Sequence, residues 1–204
     1  EVDPDIVHHA NPEDRLTADD LRDVPTLSLV LPWEDMFVSR TGIYISGTGG
    51  GNLVKQNYLH DVDSTNVNAN IRCDDEQHGT VIEQNVILRC CGEGFIIKGD
   101  NTIANNIVAD LRPAGADGTT CLHQRGYIVL PYGQVKGATI QRNIFYSLAK
   151  DQRVLTERRS RTRGPSLLRD CKADFNLYFN RADPDWGARH LKEQQAFGVE
   201  THSL

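Results

Sequence analysis

The sequence has little of what membrane-spanning and nucleic-acid-binding proteins need. No apolar run approaches the roughly 20 residues with which a helix spans a bilayer, and neither end resembles a secretory signal. Lys and Arg number 22 against 28 Asp and Glu, a net charge of −6. The densest basic run, TERRSRTRG, is short and typical of a solvated loop. We therefore expect neither a nucleic acid nor a membrane as a partner.

The cysteines also lack a recognisable pattern. There are five of them, an odd number, with no CxxC and no Cys/His spacing typical of zinc sites. We expect buried free thiols and no cofactor from this set. The cysteines are Cys73, Cys90, Cys91, Cys121 and Cys171.

What the sequence does contain is an internal repeat. Four segments share the pattern apolar, any, any, Asn, any, apolar, and a fifth, KADFNLYF, carries it more weakly. Each segment is preceded by a second short apolar run: GIYISG (42–47), NIRCDD (70–75), GFIIKG (94–99), GYIVLP (126–131) and SLLRDC (166–171). The repeated asparagines are Asn57, Asn85, Asn106, Asn143 and Asn176.

The spacing of these features indicates a solenoid. Ile43 and Ile71 are 28 residues apart, as are Asn57 and Asn85, so both features advance together. Later asparagine spacings of 21, 37 and 33 residues suit a repeat with fixed strands and variable loops. Short β-rich segments separated by Gly, Asn and Asp turns predict the coils of a parallel β-helix.

The repeated asparagines have a structural explanation in such a coil. Equivalent strands of neighbouring coils lie about 4.8 Å apart, so identical residues stack. A column of asparagines can then form hydrogen bonds along the stack and satisfy polar groups that would otherwise be buried unpaired. We expect this role, rather than catalysis, for Asn57, Asn85, Asn106 and Asn143.

The rhythm NxVIxxNxI…GIxIxG resembles the right-handed parallel β-helix superfamily, which includes pectate-lyase-like polysaccharide lyases and several glycoside hydrolase families. The resemblance covers roughly residues 40 to 180. The closing DFNLYFNRADPDWGARHLKEQQAFGVETHSL also resembles the end of such bacterial proteins, which usually continue into another strand. The resemblance implies an extracytoplasmic carbohydrate-active protein, whose β-helix a partner chain or a further segment completes.

We therefore predict an all-β fold, a right-handed parallel β-helix with short flanking helices. Residues 1–40 form a flanking segment, with Thr17 as a helix N-cap, and residues 41–180 form the coils. Residues 181–204 form a helix and a tail that pack on the solenoid. This helix begins near Asp183-Pro184 and stops at Gly198.

Strand alternation assigns side chains to faces. Two columns are expected to point inward, formed by Ile43, Ile71, Phe95 and Tyr127 and by Ile45, Cys73, Ile97 and Val129. Two columns are expected to point outward, formed by Tyr44, Arg72, Ile96 and Ile128 and by Ser46, Asp74, Lys98 and Leu130. Asp74 and Lys98 then lie on neighbouring coils at the same position, where an ion pair between them is expected.

Acidic residues gather where these outward columns end. Glycoside hydrolysis needs two carboxyl groups about 5 Å apart for retention, or roughly 6.5 to 9.5 Å apart for inversion. Asp74, Asp75, Glu76 and Asp100 offer pairs in both ranges, and crowding separates the pKa values of two acids. A glycoside hydrolase that uses Asp74, Asp75 and Asp100 is the first prediction.

A polysaccharide lyase is the alternative. GEGFIIKGDNTIANN resembles the lysine-bearing strand of alginate and chondroitin lyases, and this resemblance implies that Lys98 is the base that removes the proton α to a uronate carboxyl. Those families carry an arginine on the following coil, where this chain has Leu130 and Pro131. Arg125 lies nearby in the sequence. The acids could also hold Ca²⁺.

Other polar residues near these columns are candidates for binding a sugar. Histidine serves as a general base or a hydrogen-bond partner, and His60 and His78 follow adjacent strand columns that could reach one cleft. A non-catalytic carbohydrate-binding solenoid remains a third possibility, in which the acids are solvated turn residues. The expected substrate-binding residues are Arg72, Tyr44, Glu76, His78, His60, His123 and Arg125.

Overall fold

The computed structural model describes residues 40–62, 67–74, 77–112, 126–131, 135–150, 152–157 and 167–204. All of them belong to one compact unit, residues 37–204. The expected flanking segment and its Thr17 cap lie outside the described residues. In the described parts the chain forms β1 (Arg40–Ser46), β2 (Leu53–Lys55), β3 (Tyr58–His60), β4 (Val67–Asp74), β5 (Val81–Glu83), β6 (Val86–Leu88), β7 (Glu93–Ile96), β8 (Thr102–Ala104), β9 (Ile107–Ala109), β10 (Ile128–Leu130), β11 (Thr139–Gln141), β12 (Ile144–Ser147), β13 (Leu155–Glu157), β14 (Lys172–Asp174), β15 (Leu177–Asn180) and α1 (Trp186–Gln195).

These strands form three parallel sheets of five strands each. Sheet A has the order β1-β4-β7-β10-β13, sheet B contains β2, β5, β8, β11 and β14, and sheet C contains β3, β6, β9, β12 and β15. Each coil of the chain contributes one strand to each sheet and then repeats. The predicted parallel β-helix is confirmed; its right hand stays an expectation from the resemblance.

The core lies between the three sheets and consists of stacked apolar columns. In sheet A, Ile43 pairs with Ile71 and Ile71 with Phe95, and Ile45 pairs with Cys73. Sheet B contributes the stack Val54, Ile82, Ile103, Ile140 and Ala173, all buried. Full burial of one such side chain contributes about 1.5–3 kcal/mol, so the repeat supplies its own stabilisation coil by coil.

The expected register is wrong between β7 and β10. Phe95 pairs with Ile128, not with Tyr127. At this corner of the coil two consecutive residues, Tyr127 and Ile128, both join the main core, and Gly126 adopts φ 147°. Because a one-residue slip exchanges the faces of a strand, Ile128 and Leu130 point inward, whereas Val129 stacks on Ile96.

In the fifth coil, the sheet A strand does not lie in the segment that the repeat predicted. SLLRDC was the predicted strand, but Leu167–Asp170 form a 3-10 helix. The strand is β13 instead, whose Leu155 pairs with Ile128. The LTE sequence of β13 carries little apolar periodicity, because its place is set by pairing with β10 rather than by its own pattern.

The cysteine prediction holds for three positions and fails at one. Cys73, Cys90 and Cys171 are buried free thiols. Burial raises the pKa of Cys73 and of Cys171 to about 12. Cys91 is disulfide-bonded; Cys121 lies outside the described residues.

The asparagine ladder, formed by Asn57, Asn85, Asn106, Asn143 and Asn176, is confirmed. Each of the first four asparagines donates its main-chain N–H and its side-chain amide to the Oδ1 of the next, at 2.9 to 3.1 Å. Ser203 and the buried Glu200 continue the hydrogen bonds beyond Asn176. The residue before each asparagine has φ between 56° and 59°, so the ladder holds a corner that the backbone alone disfavours.

A short C-terminal helix is present, and its first residue packs into the core of the solenoid. It runs from Trp186 to Gln195 and ends three residues before Gly198. Trp186 is buried in the core and donates its indole N–H to Gln152 O at 2.7 Å. The tail continues the pairing, since Leu204 N–H donates to Asn176 O at 2.9 Å. Among the described residues, no helix has the length and apolar character of a membrane span.

Candidate functional site

Four polar side chains meet where β4 ends, on the outer side of sheet A. Asp74 is the last residue of β4, and Arg72 lies two residues earlier on the same face. Tyr44 of β1 pairs with Arg72. Lys98 follows β7 on the next coil. Their placement follows from the repeat, because parallel in-register strands bring equivalent positions of consecutive coils together. We call Tyr44, Arg72, Asp74 and Lys98 the ionic cluster.

The Asp74 carboxylate is the centre of this cluster. Lys98 forms an ion pair with Oδ1, and Arg72 forms one with Oδ2. The Tyr44 hydroxyl donates to Oδ2 at 3.3 Å. The ion pair expected between Asp74 and Lys98 is therefore present, and Arg72 joins it from the same strand.

The cluster is largely withdrawn from solvent. The exposed fractions of the side chains are 9% for Asp74 and 15% for both Arg72 and Lys98, whereas Tyr44 is 48% exposed. The Arg72 guanidinium carbon lies 5.4 Å from the centre of the Tyr44 ring, a cation–π contact. Both cations engage the one Asp74 carboxylate, and Tyr44 presents the exposed edge of the cluster.

The outer face of sheet A beside the cluster is buried. Ala69, Ile96 and Val129 form a small apolar group of their own, each at most 2% exposed. Glu93 is fully buried. The outer face of sheet A is therefore closed to solvent at these residues, and Tyr44 is the exposed side of the site.

Asp100 and His78 lie in neighbouring turns that follow sheet A. Both are exposed. Asp100 Oδ1 accepts the Gly79 N–H at 3.0 Å, which ties the turn of the third coil to that of the second. A Cβ added to Gly99 would lie 3.4 Å from the His78 Cβ, so His78 adjoins the segment that carries Lys98 and Asp100.

His60 does not share this corner. It is the last residue of β3 in sheet C, where its ring stacks on Tyr58 at 4.5 Å and its Nδ1 lies 2.9 Å from Asp61 Oδ2. The expectation that His60 and His78 reach one cleft is not met, because His60 ends a strand of sheet C whereas His78 follows a strand of sheet A. Asp75, Glu76, His123 and Arg125 lie outside the described residues.

A second polar stack, which the sequence analysis missed, supports these turns. Gln77 is 1% exposed; its side chain accepts from Thr48 and donates to Gly49 O and to the Thr80 hydroxyl. Asn101 Oδ1 in turn accepts the Thr80 N–H at 2.9 Å. A sequence feature could have revealed it, since Asn52, Thr80 and Asn101 each directly precede a sheet B strand.

A separate cleft of about 430 Å³ lies on the fifth coil, between β13 and α1. None of the ionic cluster lines it. Among its lining residues, Glu157 accepts the Leu167 and Leu168 N–H groups, and Arg189 pairs with Asp183. His190 is buried there, and burial lowers its pKa to about 4. These groups are engaged in holding the end of the solenoid together.

In the described part of the chain, no three His, Cys, Asp or Glu side chains are grouped as a metal site would require. The chain matches no family model, no curated protein and no solved structure. What the structure shows is the parallel β-helix fold, and the resemblance to pectate-lyase-like proteins stays an expectation from the sequence.

Proposed function

We propose that this protein is a carbohydrate-active enzyme that cleaves glycosidic bonds of an acidic polysaccharide, at the ionic cluster. One observation carries the proposal: two cations, one carboxylate and a phenol from three consecutive coils meet at the end of sheet A. Such a cluster, with an arginine, a lysine and an exposed tyrosine, suits the carboxylate of a uronate residue.

The ion pairs favour β-elimination over hydrolysis. A hydrolase needs two carboxyl groups that face the bond, but Asp74 is engaged by Arg72 and Lys98, and Asp100 Oδ1 is engaged by the Gly79 N–H. A lyase needs a base and a cation that neutralises the uronate carboxyl. Lys98 would be the base and Arg72 the cation.

In this mechanism, Arg72 binds the uronate carboxylate, which competes with Asp74 for the guanidinium. The Lys98 amine, neutral once its ion-pair proton has passed to Asp74, takes the proton α to the carboxyl. The electron pair of that C–H bond forms the new C=C bond, and the glycosidic C–O bond breaks. Tyr44 donates its proton to the leaving oxygen, and Asp74 orients the three donors around it.

Hydrolysis remains the second candidate because Asp100 is exposed in the turn directly after Lys98. A hydrolase would use Asp74, Asp75 and Asp100 as its acids. Ca²⁺ would fit either proposal as a hard ion that binds carboxylates. An extracytoplasmic location belongs to the same proposal, since polysaccharides of this kind are met outside the cytoplasm.

The test is a product assay on uronate polymers and on neutral glucans. Elimination yields an unsaturated uronate that absorbs in the near ultraviolet, hydrolysis releases reducing ends without that absorbance, and a binding module retains the polymer without turnover. We expect the unsaturated product from uronate polymers. Reducing ends without absorbance would favour the carboxylate pair, and retention without turnover would overturn both enzymatic proposals.

Lys98→Ala and Lys55→Ala make a matched pair of variants for this assay. Lys55 forms a cross-coil ion pair with Glu83 at 2.7 Å, which resembles the Lys98–Asp74 pair but lies on sheet B. Loss of general base catalysis typically costs about 10²- to 10⁴-fold in rate. We expect this loss in Lys98→Ala and an unchanged rate in Lys55→Ala.

A further inference from the structure

The outer face of sheet C is apolar over all five coils except at His60. Two columns of side chains cover it: Tyr58, Val86, Ile107, Ile144 and Leu177 in one, and His60, Leu88, Ala109, Tyr146 and Phe179 in the other. None of these ten residues is Asp, Glu, Lys or Arg, in a chain of which 25% is charged. We call these ten residues the sheet C face.

Several members of the sheet C face are well exposed. Tyr58 is 57% exposed and Phe179 is 51% exposed, and Ile107, Ile144 and Leu177 are close to 40%. The Tyr146 and Phe179 rings stack at 5.7 Å and lie side by side on neighbouring coils. An exposed contiguous apolar surface of this kind marks an interaction site in soluble proteins.

Sheet B shows what a solvated face of the same solenoid looks like. Its outward columns contain Lys55 paired with Glu83 and, further along, Lys172 and Asp174. Both sheets have equivalent strands on the same coils, so the fold itself does not require an apolar exterior on sheet C. The apolar composition of the sheet C face must therefore serve something other than folding of the coil.

Polar residues border the sheet C face on both sides. One corner carries Gln56, Gln84, Asn105 and Arg142 on the first four coils and Phe175 on the fifth, all exposed. The other corner carries Asp61, Arg89 and Asp110, where Arg89 binds the Asp61 carboxylate with two bonds of 2.7 Å. An apolar centre with a polar rim is the usual anatomy of a protein–protein interface.

We propose that the sheet C face binds a second copy of this chain and forms a two-fold symmetric dimer. Its lack of charge argues for this occupant, because a two-fold axis places identical patches against each other and a charged patch would repel itself. Aromatic residues lie at both ends, Tyr58 on the first coil and Phe179 on the fifth, about 19 Å apart at four strand spacings. With the solenoids antiparallel, each Tyr58 packs on the partner's Leu177 and Phe179.

The size of the face fits such a dimer. Ten residues with these exposures offer roughly 600 Å² per chain, so the dimer buries about 1,200 Å² in total, the lower end of the range for specific interfaces. Sheets pack face to face at about 10 Å with interdigitating side chains. Ile107, on the third of five coils, lies at the symmetry axis, where it meets its own copy.

The test measures the mass of the full chain by sedimentation over a hundredfold range of concentration. Ile107→Lys places two lysines against each other at the axis, and we expect it to weaken dimerisation at least about a hundredfold. Thr102→Lys is the matched control, because Thr102 points outward from sheet B on the same coil. We expect this variant to dimerise like the unmodified chain.

Each outcome decides the proposal. A dimer that is lost in Ile107→Lys and kept in Thr102→Lys supports it. A chain that is monomeric at every concentration, a dimer that survives Ile107→Lys, or equal loss in both variants overturns it. Urea unfolding of both variants verifies that each is folded. The outcome is independent of the enzymatic proposal, because the ionic cluster lies on sheet A.

Discussion

Lys98 of the third coil forms an ion pair with Asp74 of the second coil, across two neighbouring strands of sheet A. Arg72 binds the other oxygen of the same carboxylate. The three side chains are thus joined through one carboxylate, and removing its charge takes a shared partner from two cations in a largely buried place.

Asp74→Asn is therefore expected to destabilise the fold. Removal of one partner from a buried ion pair costs about 3–5 kcal/mol, and the partial exposure of Arg72 and Lys98 reduces this to about 2–4 kcal/mol. Urea unfolding measures the loss. The control is Glu83→Gln on sheet B, whose pair with Lys55 is more exposed and worth about 1 kcal/mol or less. Equal losses in the two variants would contradict the central role of Asp74.

The asparagine ladder gives a prediction that depends on position. Asn106 Oδ1 accepts two bonds from Asn85, and its amide donates to Ile82 O and to Asn143. Asn106→Ala leaves several buried groups unpaired, at about 1–3 kcal/mol for each, so we expect a loss of at least about 3 kcal/mol in the free energy of unfolding.

Asn57→Ala should cost less, about 1 kcal/mol. Asn57 lies at the first coil and is more exposed, and its amide donates to Asn85. Chemical denaturation of both variants tests the order. A loss at Asn57 as large as that at Asn106 would show that the bonds along the stack do not govern stability.

His190 predicts a dependence of stability on pH. Burial lowers its pKa from 6.5 to about 4, while Glu157 acts weakly in the opposite direction. The unfolded chain therefore binds a proton more readily than the folded chain between pH 6.5 and pH 4. The contribution of His190 is full above about pH 6.5 and is lost as pH falls towards 4, with a maximum near 3 kcal/mol.

His190→Gln removes this titration, so we expect its stability to vary less with pH than that of the unmodified chain between pH 6.5 and 4. Parallel slopes in this window would contradict the prediction. Measurements between pH 7 and pH 8 serve as the control, since His190 is neutral there in both the folded and unfolded states.

The buried thiols are expected to resist modification. Burial raises the pKa of Cys73 and Cys171 to about 12, and the thiolate is the reactive form. Alkylation at pH 8 followed by mass spectrometry of the peptides should find both residues unmodified in the folded chain and modified after denaturation. Rapid labelling of Cys73 without denaturant would contradict its place in the core.

Much of the fold was predictable because each coil of a solenoid repeats the same sequence pattern. The five asparagines, the apolar runs and the facing of Asp74 and Lys98 all follow from local alternation and repetition. The register at β10 did not follow, because Gly94-Phe95 and Gly126-Tyr127 look alike in sequence but differ by one residue in pairing. The sequence analysis also missed the position of β13, because this strand is placed by its pairing with β10 rather than by its own sequence pattern.

The candidate site was predictable in part. The sequence placed Asp74, Arg72, Tyr44 and Lys98 on one face, and the structure brings these four together. It separates His60 from them, since residues that follow different strands of one coil lie at different corners.

The sequence by itself determined the repeat, the parallel pairing and the asparagine ladder, because each depends on residues recurring at matching positions. The tertiary structure alone decided how the Asp74 carboxylate is shared between two cations. It also decided that the sheet A exterior is buried beside them and that the sheet C exterior is exposed. Alternation tells which side chains leave the core, but whether they then meet solvent or other atoms depends on how distant segments pack.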